Sequence, residues 1–512
     1  MAISRPFQIY PKQASVERGQ FNRRIVIPAP TGGWNTRDDP TVMPINDAVS
    51  LINMVPKHGY VELRGGYEPH STGVGSGDVD LCAEYWDGST RALITASSSN
   101  IYNSTAQGAA TSLGSGFANG RWDTAMLGGI MGFVNGANTP QKYDGSTLSA
   151  LTVTGSGLTA TNLVGVHVHK ARSYFWESSS QNFWYSATNA MGGAVTEFPL
   201  ADVARKGGKL LRMTSWTVDG GSGPDDYAVF IMSSGEVIVY QGSDPGSALS
   251  WALVGIYEIG RPVGDRAVMK YGREVMVVTE GDAVTLPSAF QQPTPPTTKL
   301  SQAIADAAYS RINNEGWELF YIPNEHLMFL NIPVATSPDL FEQYVLNTEN
   351  MAAARFTDIP ARTWGMYNGD AYFGSTDGTV YRYNTVQNDN GSDINAAAVT
   401  AWSDYGAQTN KMVTAILPSF SAVDDIEYDI RVGYGFIEPD VSSPSSSVST
   451  GTPWGSPWGS SWGSVFGETV LTKWRMANGR GTPVCLKMRY SRQGDKPKWY
   501  KTDALVRVEG NL

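Results

Sequence analysis

The feature that most constrains this chain is a two-strand unit that recurs through its middle. In each copy a few alternating aromatic or β-branched residues meet a Gly/Ser/Asn/Asp turn and are followed by a second such run. Seven segments fit: Arg91-Ala-Leu-Ile-Thr with Asn100-Ile-Tyr, Ile130-Met-Gly-Phe-Val with Gln141-Lys-Tyr, Arg172-Ser-Tyr-Phe-Trp with Asn182-Phe-Trp-Tyr, Ala228-Val-Phe-Ile-Met with Glu236-Val-Ile-Val-Tyr, Glu274-Val-Met-Val-Val with Ala283-Val-Thr-Leu, Glu318-Leu-Phe-Tyr-Ile with His326-Leu-Met-Phe-Leu, and Ala371-Tyr-Phe-Gly-Ser with Thr379-Val-Tyr-Arg-Tyr. The turns Ser234-Gly235, Glu280-Gly281 and Asp377-Gly378 put a glycine where a tight hairpin needs positive φ. Successive units start 39 to 56 residues apart. A period in the forties suits a four-stranded propeller blade. A hairpin cannot bury both faces alone, and radial stacking gives such sheets a continuous core with short, protected edges. The alternative is a chain of β-sandwiches, whose strands recur about every 8 to 12 residues without a longer period. The long period favours an all-β fold built on a β-propeller of five to seven blades, an end blade being incomplete or borrowed.

Composition supports the all-β reading. Of 512 residues, 41% are hydrophobic and 17% charged, too apolar for a disordered chain, and 55 Gly, 15 Trp and 24 Tyr suit short strands and tight turns. The one clear helix signal is Ser301 to Arg311, with Ser301 as N-cap and Ile304, Ala307 and Ala308 on one stripe. From about residue 395 the texture changes, and alternating runs such as Ile426 to Val432, Lys487 to Tyr490 and Ala504 to Val508 predict a second, sandwich or barrel-like β domain over 395–512. The propeller then spans 75–390, and residues 1–70 read as an extended, Pro-punctuated arm adding strands to the C-terminal domain or to a neighbour. Within the second domain, 442–464 is a Pro/Gly-dense loop with tandem Trp-Gly-Ser units that present Trp454, Trp458 and Trp462. Three such rings need a partner surface: their own domain, a neighbouring subunit, a lipid envelope or a glycan. They are the candidate tip or envelope contact.

The net charge of −10 is unevenly placed. Residues 1–30 carry a net +4 and residues 471–512 a net +7, leaving −21 between them. Arg5, Lys12, Arg23, Arg24, Arg489, Arg492, Lys496 and Lys498 form the candidate docking surface for acidic neighbours; an ordinary solvated face is the plain alternative. Met1 to Gly19 has no apolar run of signal-peptide length, and no stretch of about 18 apolar residues occurs anywhere, so neither that export route nor a membrane span is expected.

Glycine-rich phosphate loops and His-Glu-x-x-His are missing, and two cysteines, Cys82 and Cys485, make no metal or disulfide framework. His167-Val-His169 reads as structural. Gly459-Ser-Ser461-Trp-Gly463 matches a hydrolase elbow in letters only, because it lies in low-complexity loop. Asp219 with Asp225 and Asp226, and Asn388-Asp-Asn390, lack a full calcium-loop spacing. The expectation is no enzyme, no cofactor and no metal.

The stretch Pro30-Thr-Gly-Gly-Trp-Asn-Thr-Arg-Asp-Asp-Pro, then Met43-Pro, Asp47-Ala-Val and Asn53-Met-Val-Pro-Lys-His-Gly-Tyr-Val-Glu-Leu-Arg-Gly-Gly-Tyr67 resembles the opening of the tail nozzle (tail tube or tail accessory) proteins of short-tailed bacteriophages, including the P22-like group. The match covers about residues 29–68, and Asn53, Gly59, Arg64, Gly65 and Gly66 carry the family-like pattern leading into a β-propeller. The resemblance implies a structural virion protein, made in the host cytoplasm and placed in the tail. It implies six copies around a channel, docked on a head-to-tail adaptor protein and carrying tail spikes or fibres and a needle or plug, with double-stranded DNA passing through. An acidic middle agrees with a conduit that must not grip phosphate. The rival reading is a monomeric carbohydrate-binding or glycan-cleaving β-propeller with aromatics and carboxylates at the disc centre.

Overall fold

The computed structural model describes residues 23–219, 224–286, 298–334, 337–406, 409–422, 426–441, 447–448, 469–494 and 496–508. Seven sheets stand around one axis. Their first strands, Val79–Trp86, Asp123–Leu127, Leu163–His169, Leu210–Asp219, Val268–Tyr271, Glu318–Ile322 and Thr363–Tyr367, neighbour one another in that order, and the seventh returns to the first. That closed cycle is a seven-bladed β-propeller. Each blade is an antiparallel meander, and the fifth has three strands among the described residues.

Each of the seven hairpins read from the sequence falls in its own blade. Six are the second and third strands; the sixth, Glu318–Ile322 with Leu327–Val334, is the first and second. Gly235 and Gly378 do occupy positive φ, at +84° and +78°. Gly281 does not. That turn closes instead by the Thr279 N–H donating to Asp282 O at 2.8 Å, with the Thr279 hydroxyl on the same oxygen. The helix Ser301–Arg311 buries Ala303, Ile304, Ala307 and Ala308. Its N-cap is Leu300 rather than Ser301, which is the first helical residue and makes no capping bond.

The ring is closed by a strand from far upstream. Tyr67–Thr72 pairs antiparallel with Val380–Tyr383 as the fourth strand of the seventh blade, so the leading segment is divided between the two domains. Blade six runs without a break into the second domain: Ala352–Phe356 pairs with Gly33–Trp34 and Asp47–Ile52, and the sheet continues through Ile394–Thr400, Val484–Arg492 and Ile426–Tyr434 to Ser447–Val448. Facing it is a second sheet in which Lys498–Val508 is flanked by Lys411–Ala422 on one side and by Arg23–Pro28 and Val61–Leu63 on the other. The two sheets form a sandwich. Phe420 and Tyr428 meet across it with ring centroids 4.7 Å apart, and the Arg475 guanidinium lies 4.4 Å from the Tyr428 ring centroid.

Two identical tetrapeptides, Asp-Gly-Ser-Thr at 87–90 and 144–147, make matching turns. Asp87 Oδ1 accepts from the N–H groups of Ser89 (2.8 Å) and Thr90 (2.7 Å), and Asp144 Oδ1 from those of Ser146 (3.0 Å) and Thr147 (2.8 Å). These donors hold the Asp87 carboxyl down to about 2. A carboxyl depressed by folding contributes stability above its unfolded value of about 4 and loses it as pH falls through the folded value. The stability difference between the protein and its Asp87→Asn variant, followed by urea unfolding from pH 5 to pH 2, is expected to shrink steadily across that window.

Candidate functional site

Three places hold the residues singled out by the sequence or brought together by the fold: the propeller axis, the junction between the domains, and the basic strands of the sandwich.

At the axis, charged residues stand at or near the starts of several first strands. Arg121, just before the second blade, donates to Asp265, just before the fifth, at 2.6 Å; Arg212 of the fourth blade donates to Asp123 of the second at 2.7 Å. Blades two and five are not neighbours in a ring of seven, so the first pair spans the axis. Arg266 donates to Asp80 O (2.7 Å) in the first blade, Trp122 O (3.0 Å) beside the second and Thr363 Oγ1 (3.2 Å) in the seventh. Burial alone would raise the Asp265 carboxyl, but Arg121, Arg266 and Arg212 together hold it below the usual carboxylate range. The result is a set of ionic spokes across the channel mouth. Beside them lies a cavity of about 210 Å³ lined by Arg121, Asp123, Arg212 and Asp265 with Trp122 and Trp176. Both indoles are only 1% exposed. Deeper in, His167 Nε2 and His169 Nδ1 lie 3.1 and 2.8 Å from Ser215 Oγ. Burial, then Arg212 and His169, push the His167 imidazole down to about 3, which keeps it neutral. Among the described residues no group of three or more His, Cys, Asp or Glu is placed to hold a metal ion.

At the junction, four of the five family-like residues meet. Arg64 has no exposed side-chain surface. Its Nη1 and Nη2 donate to the two carboxylate oxygens of Asp389 at 2.8 and 2.5 Å, its Nε to Asn53 Oδ1 at 2.9 Å, and further bonds reach the carbonyls of Gly65 and Thr357. Asn53 in turn donates to Asn395 O at 2.7 Å and accepts from the Thr357 N–H at 2.9 Å. A Cβ on Gly65 would sit 1.9 Å from Asn384 Oδ1, and one on Gly66 2.0 Å from Asn388 O, so both positions need glycine for close approach. Gly59 is apart from this cluster, in an open turn at φ +86°.

The described basic residues lie on both sheets of the sandwich and at the domain junction. Arg5 and Lys12 lie outside the described residues, as do Trp454, Trp458 and Trp462 and nearly all of 442–464. Arg23 and Arg24 are exposed on the edge of one sheet, where Arg24 pairs with Asp503 at 2.6 Å. Arg489 and Arg492 belong to the other sheet. Lys496 donates to Asn384 Oδ1 at 2.6 Å, at the junction, and Lys498 Nζ lies 5.4 Å from the Tyr60 ring centroid. Sequence reasoning missed Asp389 as the partner of Arg64 and all of the axial pairs. Only spacing in three dimensions joins residues 144 or 325 positions apart. The repeated Asp-Gly-Ser-Thr was readable in the letters and was overlooked.

No family model matches this sequence, and no curated protein matches it. Among solved structures the chain is similar to YCF48 from Cyanidioschyzon merolae, at 10% identity over 63% of this chain and 98% of that one with a TM-score of 0.37. It is also similar to BBS1N in complex with ARL6DN (9% identity, 63% and 97%, TM-score 0.40) and to Chaetomium thermophilum Raptor (12%, 63% and 29%, TM-score 0.39). These likenesses are too distant to carry an argument, and the propeller is read from the chain's own strand pairing.

Removing one partner of a buried ion pair leaves an uncompensated charge, which costs roughly 3–5 kcal/mol, whereas replacing both by apolar residues is far milder. Arg64→Ala is therefore expected to lower the urea-unfolding free energy by about that amount, and Arg64→Met with Asp389→Leu to recover only part of it, because Asn53 Oδ1 and the Gly65 and Thr357 carbonyls still lose their donor.

Proposed function

We propose that this chain is a structural component of a short-tailed phage virion, a tail nozzle subunit that assembles into a ring, seals packaged DNA and conducts it during ejection. The observation that carries the reading is the resemblance over residues 29–68, joined to where those residues lie. Asn53, Arg64, Gly65 and Gly66 form the buried node that ties a propeller to a sandwich. A subunit that must hold its place in a pressurised ring benefits from such a join, because a hinge there would let each propeller swing.

The axis adds a geometric point. Ion pairs and hydrogen bonds cross the mouth of the disc from blade to blade, so a DNA-wide conduit in this reading lies between copies and not through each propeller. The acidic middle of the chain suits its wall, since unpaired cations there would hold phosphate. The reading includes six copies, a head-to-tail adaptor above, and spikes, fibres or a needle below, with Trp454, Trp458 and Trp462 as tip or envelope contact. It assigns the protein no catalysis.

The glycan-binding alternative draws on the axial cavity, which does combine tryptophans with carboxylates. Its weakness is that Trp122 and Trp176 offer no open ring face for a sugar to stack on, and each carboxylate is already engaged by an arginine.

Mass photometry and negative-stain imaging of the purified protein, alone and with the adaptor of its own phage, test the reading. Rings of about six copies are the expected product; a single-chain mass under both conditions would overturn it.

A further inference from the structure

The axial cavity carries more hydrogen-bond donors than its own carboxylates use. Its charged wall is four cations, Arg121, Lys209, Arg212 and Arg266, against two carboxylates, Asp123 and Asp265, in a chain whose net charge is −10. Arg266 is spent on three backbone and hydroxyl oxygens. Arg121 and Arg212 are not spent. Each gives one nitrogen to one carboxylate, and a guanidinium carries five N–H donors in a planar fork. Their side chains remain 30% and 23% exposed on the wall of this cavity. Lys209 stands at the rim, its backbone N–H anchored on the Ser233 hydroxyl at 3.0 Å, and its ammonium makes no hydrogen bond or ion pair with the described residues. The cluster is thus preformed, with Asp265 and Asp123 fixing Arg121 and Arg212 in place.

We propose that this cavity is a binding site for an oxyanion, a phosphate or carboxylate group, received by the spare donors of Arg121 and Arg212 and by Lys209. Planar guanidinium forks match both groups in geometry, and a lysine at the rim adds a mobile point charge. Asp123 and Asp265 orient the two arginines from behind and set a ceiling on affinity by repelling a second negative charge. The group can arrive as a free anion or as the acidic side chain of a neighbouring polypeptide presented at the face of the disc. The proposal is independent of ring assembly and holds for the protein in whatever oligomeric state it adopts.

Isothermal titration calorimetry and thermal unfolding at constant ionic strength test it, with inorganic phosphate in one arm and a short Asp-containing peptide in the other. A saturable response to at least one of them is expected, with a concentration-dependent rise in unfolding temperature. Tighter binding of the peptide assigns the site to a polypeptide partner, and tighter binding of phosphate to a free anion. Lys209→Ala removes an exposed side chain and should leave the unfolding temperature in chloride unchanged while weakening the response roughly tenfold. Arg121→Gln, which leaves Asp265 facing Arg212 and Arg266, should weaken it by a similar factor. The proposal falls if neither compound gives a saturable response, or if the response survives both substitutions undiminished.

Discussion

The rest of the structure depends on one buried guanidinium. Arg64 is withdrawn from water on a stretch that belongs to neither domain's main sequence block, and the oxygens that satisfy it come from its own segment, at Asn53 and Gly65, and from two distant ones, at Thr357 and Asp389. Asn53 and Gly65 belong to the arm itself, Thr357 follows the last strand of blade six, and Asp389 follows blade seven. A buried charge without partners is too costly to keep, so these four pieces must be in place together or not at all. The arm enters the fold by that condition. Once it is there, Tyr67–Thr72 lies along the seventh blade and the ring is shut.

The propeller is consequently closed twice, by different physics. At the rim, backbone pairing between Tyr67–Thr72 and Val380–Tyr383 joins the first and last parts of the disc. At the axis, Arg121, Arg212 and Arg266 reach across to blades that are not their neighbours. Between these, blade six shares its sheet with the sandwich through Ala352–Phe356 and Asp47–Ile52, so the two domains have a common core and no linker. At the axis, Arg121 and Arg212 each give one nitrogen to one carboxylate and keep further donors on the wall of the cavity.

The sequence was legible where structure is local. Alternation around a turn is a property of neighbouring residues, and each of the seven hairpins it marks falls in a separate blade. Gly281 was misjudged because a threonine hydroxyl can close a turn that a glycine usually opens. Ser301 was misjudged as a cap because the preceding Leu300 already takes that place. What could not be read is everything that joins distant positions. Nothing in the letters near Arg64 points to Asp389, and nothing near Arg121 points to Asp265. The candidate docking residues come from both ends of the sequence, and the letters do not say which of them share a sheet. In the fold Arg24, Arg489 and Lys496 go to one sheet, to the other sheet and to the domain junction respectively.

The central claim is that the arm, the ring closure and the sandwich form a single cooperative unit through Arg64. Native-state hydrogen exchange measures this most directly. The Arg64, Gly66, Tyr67, Asn384 and Asn390 amides, all bonded to backbone carbonyls around the node, are predicted to exchange only with the same opening free energy as the core strand Arg91–Ser97 of the first blade. Exchange of residues 53–72 at a distinctly lower free energy, with the blades still protected, would contradict the account.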